Sequence, residues 1–127
     1  MYNQETERNK TMPSTYLDFN ELYEIEQNLL ELENFIQKNV LTDETKSAIL
    51  TLSAQNMNRV LRLYENCNGR KIDYKNKKVF LDKNVTIDYN YYESYINRLM
   101  KAKFIITDIQ KYILGDREYN RIVYAIQ

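Results

Sequence analysis

Carboxylates are the first candidates for chemistry, because Asp18, Glu21, Glu24, Glu26, Glu31 and Glu33 crowd into one short stretch. Glu24 and Glu31 stand seven residues apart. On a helix that spacing puts both on one face, where a metal ion or an acid–base pair is conceivable. No partner ligands accompany them, however, and a charge run of this kind ordinarily reads as a solvated helix face. The chain has no His, so there is neither an imidazole base nor a His metal ligand. Cys67 is the single cysteine, and without a histidine to activate it, it is a poor nucleophile. The two glycines, Gly69 and Gly115, are too far apart to form a phosphate-cradling loop. A non-enzymatic protein without cofactor or resident metal is expected.

Charge is unevenly distributed along the chain. The acids above meet no base before Lys38. Farther on, Arg59, Arg62, Arg70, Lys71, Lys75, Lys77, Lys78 and Lys83 face only Glu65, Asp73 and Asp82, and Arg98, Lys101 and Lys103 follow. Three readings stand. The basic stretch, with Tyr74 and Phe80 among its lysines, is a patch for phosphates. Alternatively, Lys75, Lys77, Lys78 and Lys83 meet an acidic face, such as that of Glu24 and Glu31, on a neighbouring subunit. The third reading is a match within the chain, between the first and third helices.

The elements that position these residues follow from hydrophobic spacing. Leu22, Ile25, Leu29, Leu32 and Ile36 recur in steps of three and four, which predicts a helix over 19–38 widened by Leu30 and Phe35. Asp18 and Glu21 have the spacing of a capping box at its start. A second helix is expected after Thr42 or Asp43, with one stripe of Leu50, Ala54, Met57, Leu61 and Tyr64, widened by Ile49, Val60 and Leu63. It should end near Asn66, before Cys67-Asn68-Gly69. The period then changes to two at Ile72/Tyr74, Val79/Leu81 and Val85/Ile87, with a turn at Lys75–Lys77, so a β-hairpin or three-stranded meander is expected at about 70–88. Tyr92, Tyr95, Leu99, Ala102, Ile106, Ile109 and Ile113 predict a third helix over about 90–114, ended by Gly115. Asp116 can cap a last short helix bearing Tyr119, Ile122, Val123 and Ile126.

Length and composition bound the rest. A chain of 127 residues suits one domain, able to bury about two-thirds of its unfolded surface. At 43% hydrophobic and 28% charged residues it can form a core, which excludes a disordered protein. Zero net charge gives no global pull towards nucleic acid or anionic membrane. The lone Cys67 excludes an intramolecular disulfide. No apolar run reaches the roughly 20 residues of a membrane span. Met1–Ser14 reads as a flexible polar arm without the apolar core of a signal peptide, so export by that route is not expected. Twelve Tyr, no Trp, and many Asn, Lys and Ile are the bias of an AT-rich coding sequence, as in a low-GC bacterium or a virus of one.

The chain also matches itself at an offset of seventy residues. Leu17-Asp18-Phe19-Asn20 aligns with Ile87-Asp88-Tyr89-Asn90, Leu22 with Tyr92, Ile25 with Tyr95, and Phe35-Ile36 with Ile105-Ile106; after three inserted residues, 40–50 resembles 113–123. Duplication of a helix–turn–helix unit gives this pattern, and so do two amphipathic helices that merely start alike. The expected fold is mainly α (α+β): a helical bundle of two helix–turn–helix units with a small β-hairpin or meander inserted, residues 15–127 forming one domain behind the arm at 1–14.

TYLDFNELYEIEQNL at 15–29 and its echo TIDYNYYESYINRLM at 86–100 resemble a pattern in small structural proteins of phages infecting Gram-positive bacteria. There, an aromatic or apolar residue, an Asp and an Asn precede a helix reading like Asn-Arg-Ile-Glu. The likeness rests on Asp18, Asn20, Ile25 and Glu26, and on Asp88, Asn90, Asn97 and Arg98; the Arg is missing from the first copy and the Glu from the second. The resemblance implies a virion component, associated with tail or baseplate and without enzymatic activity. Its partners would be other protein subunits in a homo- or hetero-oligomer, and its place the virion or the host cytoplasm. The alternative is a small phage or bacterial regulatory or inhibitory protein that binds a host protein or nucleic acid; no membrane partner is expected.

Overall fold

The computed structural model describes residues 17–82, 84–115, 118 and 121. The expected arm at 1–14, Lys83 and most of the expected last helix lie outside the described residues; of that helix, Glu118 and Arg121 are helical and pair with each other.

Helix α1 spans Phe19–Lys38. The Asp18 carboxylate caps it by accepting the Glu21 N–H at 2.9 Å. The reciprocal half of the expected capping box is absent. The Asp18 N–H donates to the Tyr95 hydroxyl at 3.3 Å instead, and Glu21 turns to Arg59. Leu22, Ile25, Leu29 and Leu32 are buried and Ile36 half-buried, whereas Leu30 and Phe35 face outwards.

Helix α2 spans Asp43–Cys67 and starts on a capping box formed by Thr42 and Thr45. Its buried stripe is Ile49, Ser53, Asn56, Val60, Leu63 and Cys67. The stripe expected at Leu50, Ala54, Met57, Leu61 and Tyr64 is therefore rotated by about one residue. Leu50, Met57 and Tyr64 lie at the core's edge, and Ala54 and Leu61 are exposed. The cause is the polar pair inside the stripe, which apolar counting passes over. Ser53 satisfies its hydroxyl on the Leu50 carbonyl at 2.9 Å, and the Asn56 amide donates to the Leu52 carbonyl at 2.8 Å. Once bonded in this way, such groups are buried at little net cost. The helix stops where expected. Asn68 caps it, Gly69 follows at φ +77, and the Tyr92 hydroxyl donates to the buried Cys67 carbonyl at 2.7 Å.

A three-stranded antiparallel meander follows, with β1 (Ile72–Asp73), β2 (Lys78–Phe80) and β3 (Thr86–Asp88) in sequence order. Ile72 pairs with Val79 and Val79 with Ile87, so one face of the sheet leans on the helices. The β1–β2 turn is fixed by Asp73, which accepts from the Asn76 backbone and side-chain amides, and by Lys77 at φ +55. Arg70 ties the sheet to α2 through the Leu81 and Asn66 carbonyls, each at 2.6 Å.

Helix α3 spans Tyr89–Leu114, capped at its start by the Asp88 carboxylate and at its end by Gly115 at φ +82. All seven residues of its expected stripe, Tyr92 to Ile113, are buried. Contacts advance together along α1 and α3, from Phe19 on Tyr95 to Glu26 on Arg98, so these helices run parallel. Along α2 the partners run backwards, from Glu21 on Arg59 to Asn28 on Asn56. The described chain is thus a three-helix bundle with its sheet at the end where α2 finishes and α1 and α3 begin. The residues that match at the seventy-residue offset occupy corresponding places, with Asp18 and Asp88 both capping and Ile25 and Tyr95 both buried.

Candidate functional site

The basic residues singled out from the sequence divide into two groups. Arg59 donates to Glu21 at 2.6 Å and to Glu24 at 2.7 Å, Arg62 reaches Glu21 at 3.3 Å, and Arg98 grips Glu26 with two donors at 2.9 and 2.5 Å. The acidic face of α1 is therefore neutralised largely within the chain, by α2 as well as by α3. The hydrogen bond from Arg59 is the main cause that holds the Glu21 carboxyl below its ordinary range, outweighing its partial burial. Glu24 is thus a member of an internal ion pair rather than an open docking group. Glu31 has no ion-pair partner among the described residues and stays exposed.

The hairpin lysines form the other group. Lys75, Lys77 and Lys78 are exposed on the turn and strand, and no acid lies within ion-pair distance of them among the described residues. Lys78 does stand opposite Asp73 and Asp88 across the two ladders, which moderates its field. Tyr74 leads the turn at 72% exposed, its ring centroid 6.1 Å from that of Tyr89. Phe80 is half-buried beneath Lys71, whose ammonium sits 5.8 Å from the ring centroid. Arg70, part of the same basic run in the sequence, serves the fold by joining α2 to the sheet.

Sequence reasoning missed a second surface. On the side of α1 and α2 away from the sheet, a half-open groove of about 420 Å³ is walled by Leu32, Phe35, Ala48, Ile49 and Leu52. Its walls are mainly apolar, with Phe35 38% and Leu52 44% exposed. At its floor the Asn28 amide donates to Asn56 at 3.1 Å, and Asn56 is only 4% exposed. Glu31, Gln55 and Arg59 stand at the rim. Phe35 and Leu52 were the available signals, since both are large apolar residues beside rather than within the core stripes.

The Cys67 thiol is buried at the end of α2, and burial pushes it up to about 11, so at neutral pH it remains the unreactive thiol. Among the described residues, no group of three or more His, Cys, Asp or Glu side chains is placed to hold a metal ion. No helix is long and apolar enough to cross a membrane among those residues. The arrangement offers contact surfaces: a basic aromatic turn at one end and an apolar groove with a free carboxylate at its rim towards the other. Compared with protein-family models, curated proteins and solved structures, the chain finds no match in any of the three.

Proposed function

We propose that this chain is a non-enzymatic structural protein that works by docking on other protein subunits within an assembly, with a phage virion (tail or baseplate) as the setting that the sequence resemblance suggests. The observation that carries the reading is the basic turn. Lys75, Lys77 and Lys78 are exposed with Tyr74 on the turn and strand, and Glu21, Glu24 and Glu26 of α1 are already held by Arg59, Arg62 and Arg98. The turn also lies far from Glu31. Ala48, which lines the groove with Glu31, and Cys67, just before the sheet, are separated by about 28 Å of helix. An acidic surface on another molecule would complement these lysines, and an exposed amphipathic Tyr beside them in the chain suits the rim of a protein interface.

Replacing Lys75, Lys77 and Lys78 with Gln tests this. The variant should melt like the parent and fail to enter the assembly, because these exposed side chains make no ion pair among the described residues. Reversing Glu31 to Lys on an otherwise unchanged chain identifies whose acid is met: impaired assembly points to a neighbouring copy, and unimpaired assembly to a different subunit. Salt-sensitive binding to DNA at physiological ionic strength, lost in the Gln variant, would instead support a nucleic-acid-binding regulator and overturn the proposal.

A further inference from the structure

The outward face of α2 is unusual for a solvated helix. Between Lys46 and Arg59 the sequence carries no charge for more than three turns, yet Ala48, Thr51, Leu52, Gln55 and Asn58 are exposed there. A face turned permanently to water ordinarily carries charged residues, and charge depletion marks the centres of protein interfaces. Glu44, Ala48, Thr51, Gln55, Asn58 and Arg62 recur in steps of four and three, all exposed, and form a straight seam along the helix. The groove walled by Phe35 and Leu52 opens beside that seam.

The seam ends in opposite charges. A second α2 laid parallel would set Glu44 against Glu44 and Arg62 against Arg62. Laid antiparallel about a twofold axis on the seam, level with residue 53, it sets Glu44 opposite Arg62 twice and Thr51 opposite Gln55. The antiparallel arrangement also opposes the helix dipoles favourably. We propose that a second copy of this chain docks on this face, α2 against α2 and antiparallel, forming an isologous dimer. Covering Leu52, Phe35 and Ala48 of both copies supplies the affinity. The end pairs are exposed, so they mainly select orientation. Arg62 is available for this because its side chain is 62% exposed and its contact to Glu21 is long, at 3.3 Å.

The contact uses none of the hairpin residues, so it stands or falls separately from the assembly reading. The full chain is measured by light scattering across a concentration series, together with Leu52→Asp. The parent should be a dimer. The variant should dissociate at least about tenfold more readily with its helical content unchanged, since Leu52 is outside the core. A parent that stays monomeric, or a dimer indifferent to Leu52→Asp, overturns the proposal. The orientation is read by mixing Glu44→Cys and Arg62→Cys chains under mild oxidation. Cys67 is buried and does not compete. Antiparallel docking yields the mixed disulfide alone, because like positions then lie about 27 Å apart along the helix. Self-linked products instead of mixed ones contradict it. If the dimer forms while no larger assembly is ever recovered, the assembly reading fails and this contact survives. A large assembly with self-linked products leaves the assembly reading standing and refutes the antiparallel contact.

Discussion

Helices α2 and α3 have nearly the same length and lie in the same bundle, yet they divide the work differently. Helix α3 buries only apolar and aromatic side chains, from Tyr92 to Ile113. Helix α2 buries Ser53 and Asn56 and leaves Leu52 and Leu61 at the surface. An apolar stripe fixes a helix in the core by burial alone. A stripe with polar members depends on hydrogen bonds that tie it to particular neighbours, here Asn56 to Asn28 of α1. Both helices leave large apolar side chains at the surface, Leu52 and Leu61 on α2 and Tyr91, Phe104 and Tyr112 on α3, so what separates them is the polar pair in the buried stripe of α2.

The contrast is sharpened most by truncation in α3. Leu99 is fully buried between helices, and Leu99→Ala should cost about 2–5 kcal/mol, measured by chemical denaturation. The corresponding probe in α2 is Asn56→Ala, which strands the Asn28 amide donor in the groove floor. A loss of about 1–3 kcal/mol is expected there. An Asn56 variant as stable as the parent would show that the polar pair is dispensable and that the phase of α2 is set by its apolar members alone.

A smaller effect is expected on the acid limb. The Glu21 carboxyl is held below its ordinary value by Arg59, so its contribution is present above the unfolded pKa of about 4.3 and is lost as pH falls through the lowered value. Between about pH 5 and pH 3 the parent should therefore lose more stability than Glu21→Gln, by roughly 1 kcal/mol after solvent screening. Parallel curves for the two chains would show that the Arg59 contact contributes nothing. The smallest change belongs to Glu24→Ala, below about 0.5 kcal/mol, because its side chain is 66% exposed although it touches Arg59.

How much of the fold is legible in the sequence follows the same division. The α3 stripe is legible because every buried member is apolar and the three–four spacing runs unbroken. The phase of α2 is not, because Ser53 and Asn56 take core places that hydrophobicity assigns to Ala54 and Met57. The sheet's alternation and its turn are visible, although the turn's geometry rests on the hydrogen bonds that Asn76 donates to Asp73. The acids and bases are visible individually. Their pairing is not, since Glu21 and Arg59 are 38 residues apart and meet only through the antiparallel packing of α1 and α2. The groove has no motif at all, because it arises between two helices rather than along one.

The central claim is that the chain acts as a subunit of something larger, through surfaces rather than chemistry. Its most direct test is the native mass of the particle in which the untagged chain is found when gently isolated from the cells that make it. The account predicts a multi-subunit assembly well beyond a dimer, with the Lys75, Lys77 and Lys78 to Gln variant excluded from it. Recovery of the parent chain as a monomer or dimer, in a one-to-one complex with a single different protein, would contradict it and favour an inhibitor.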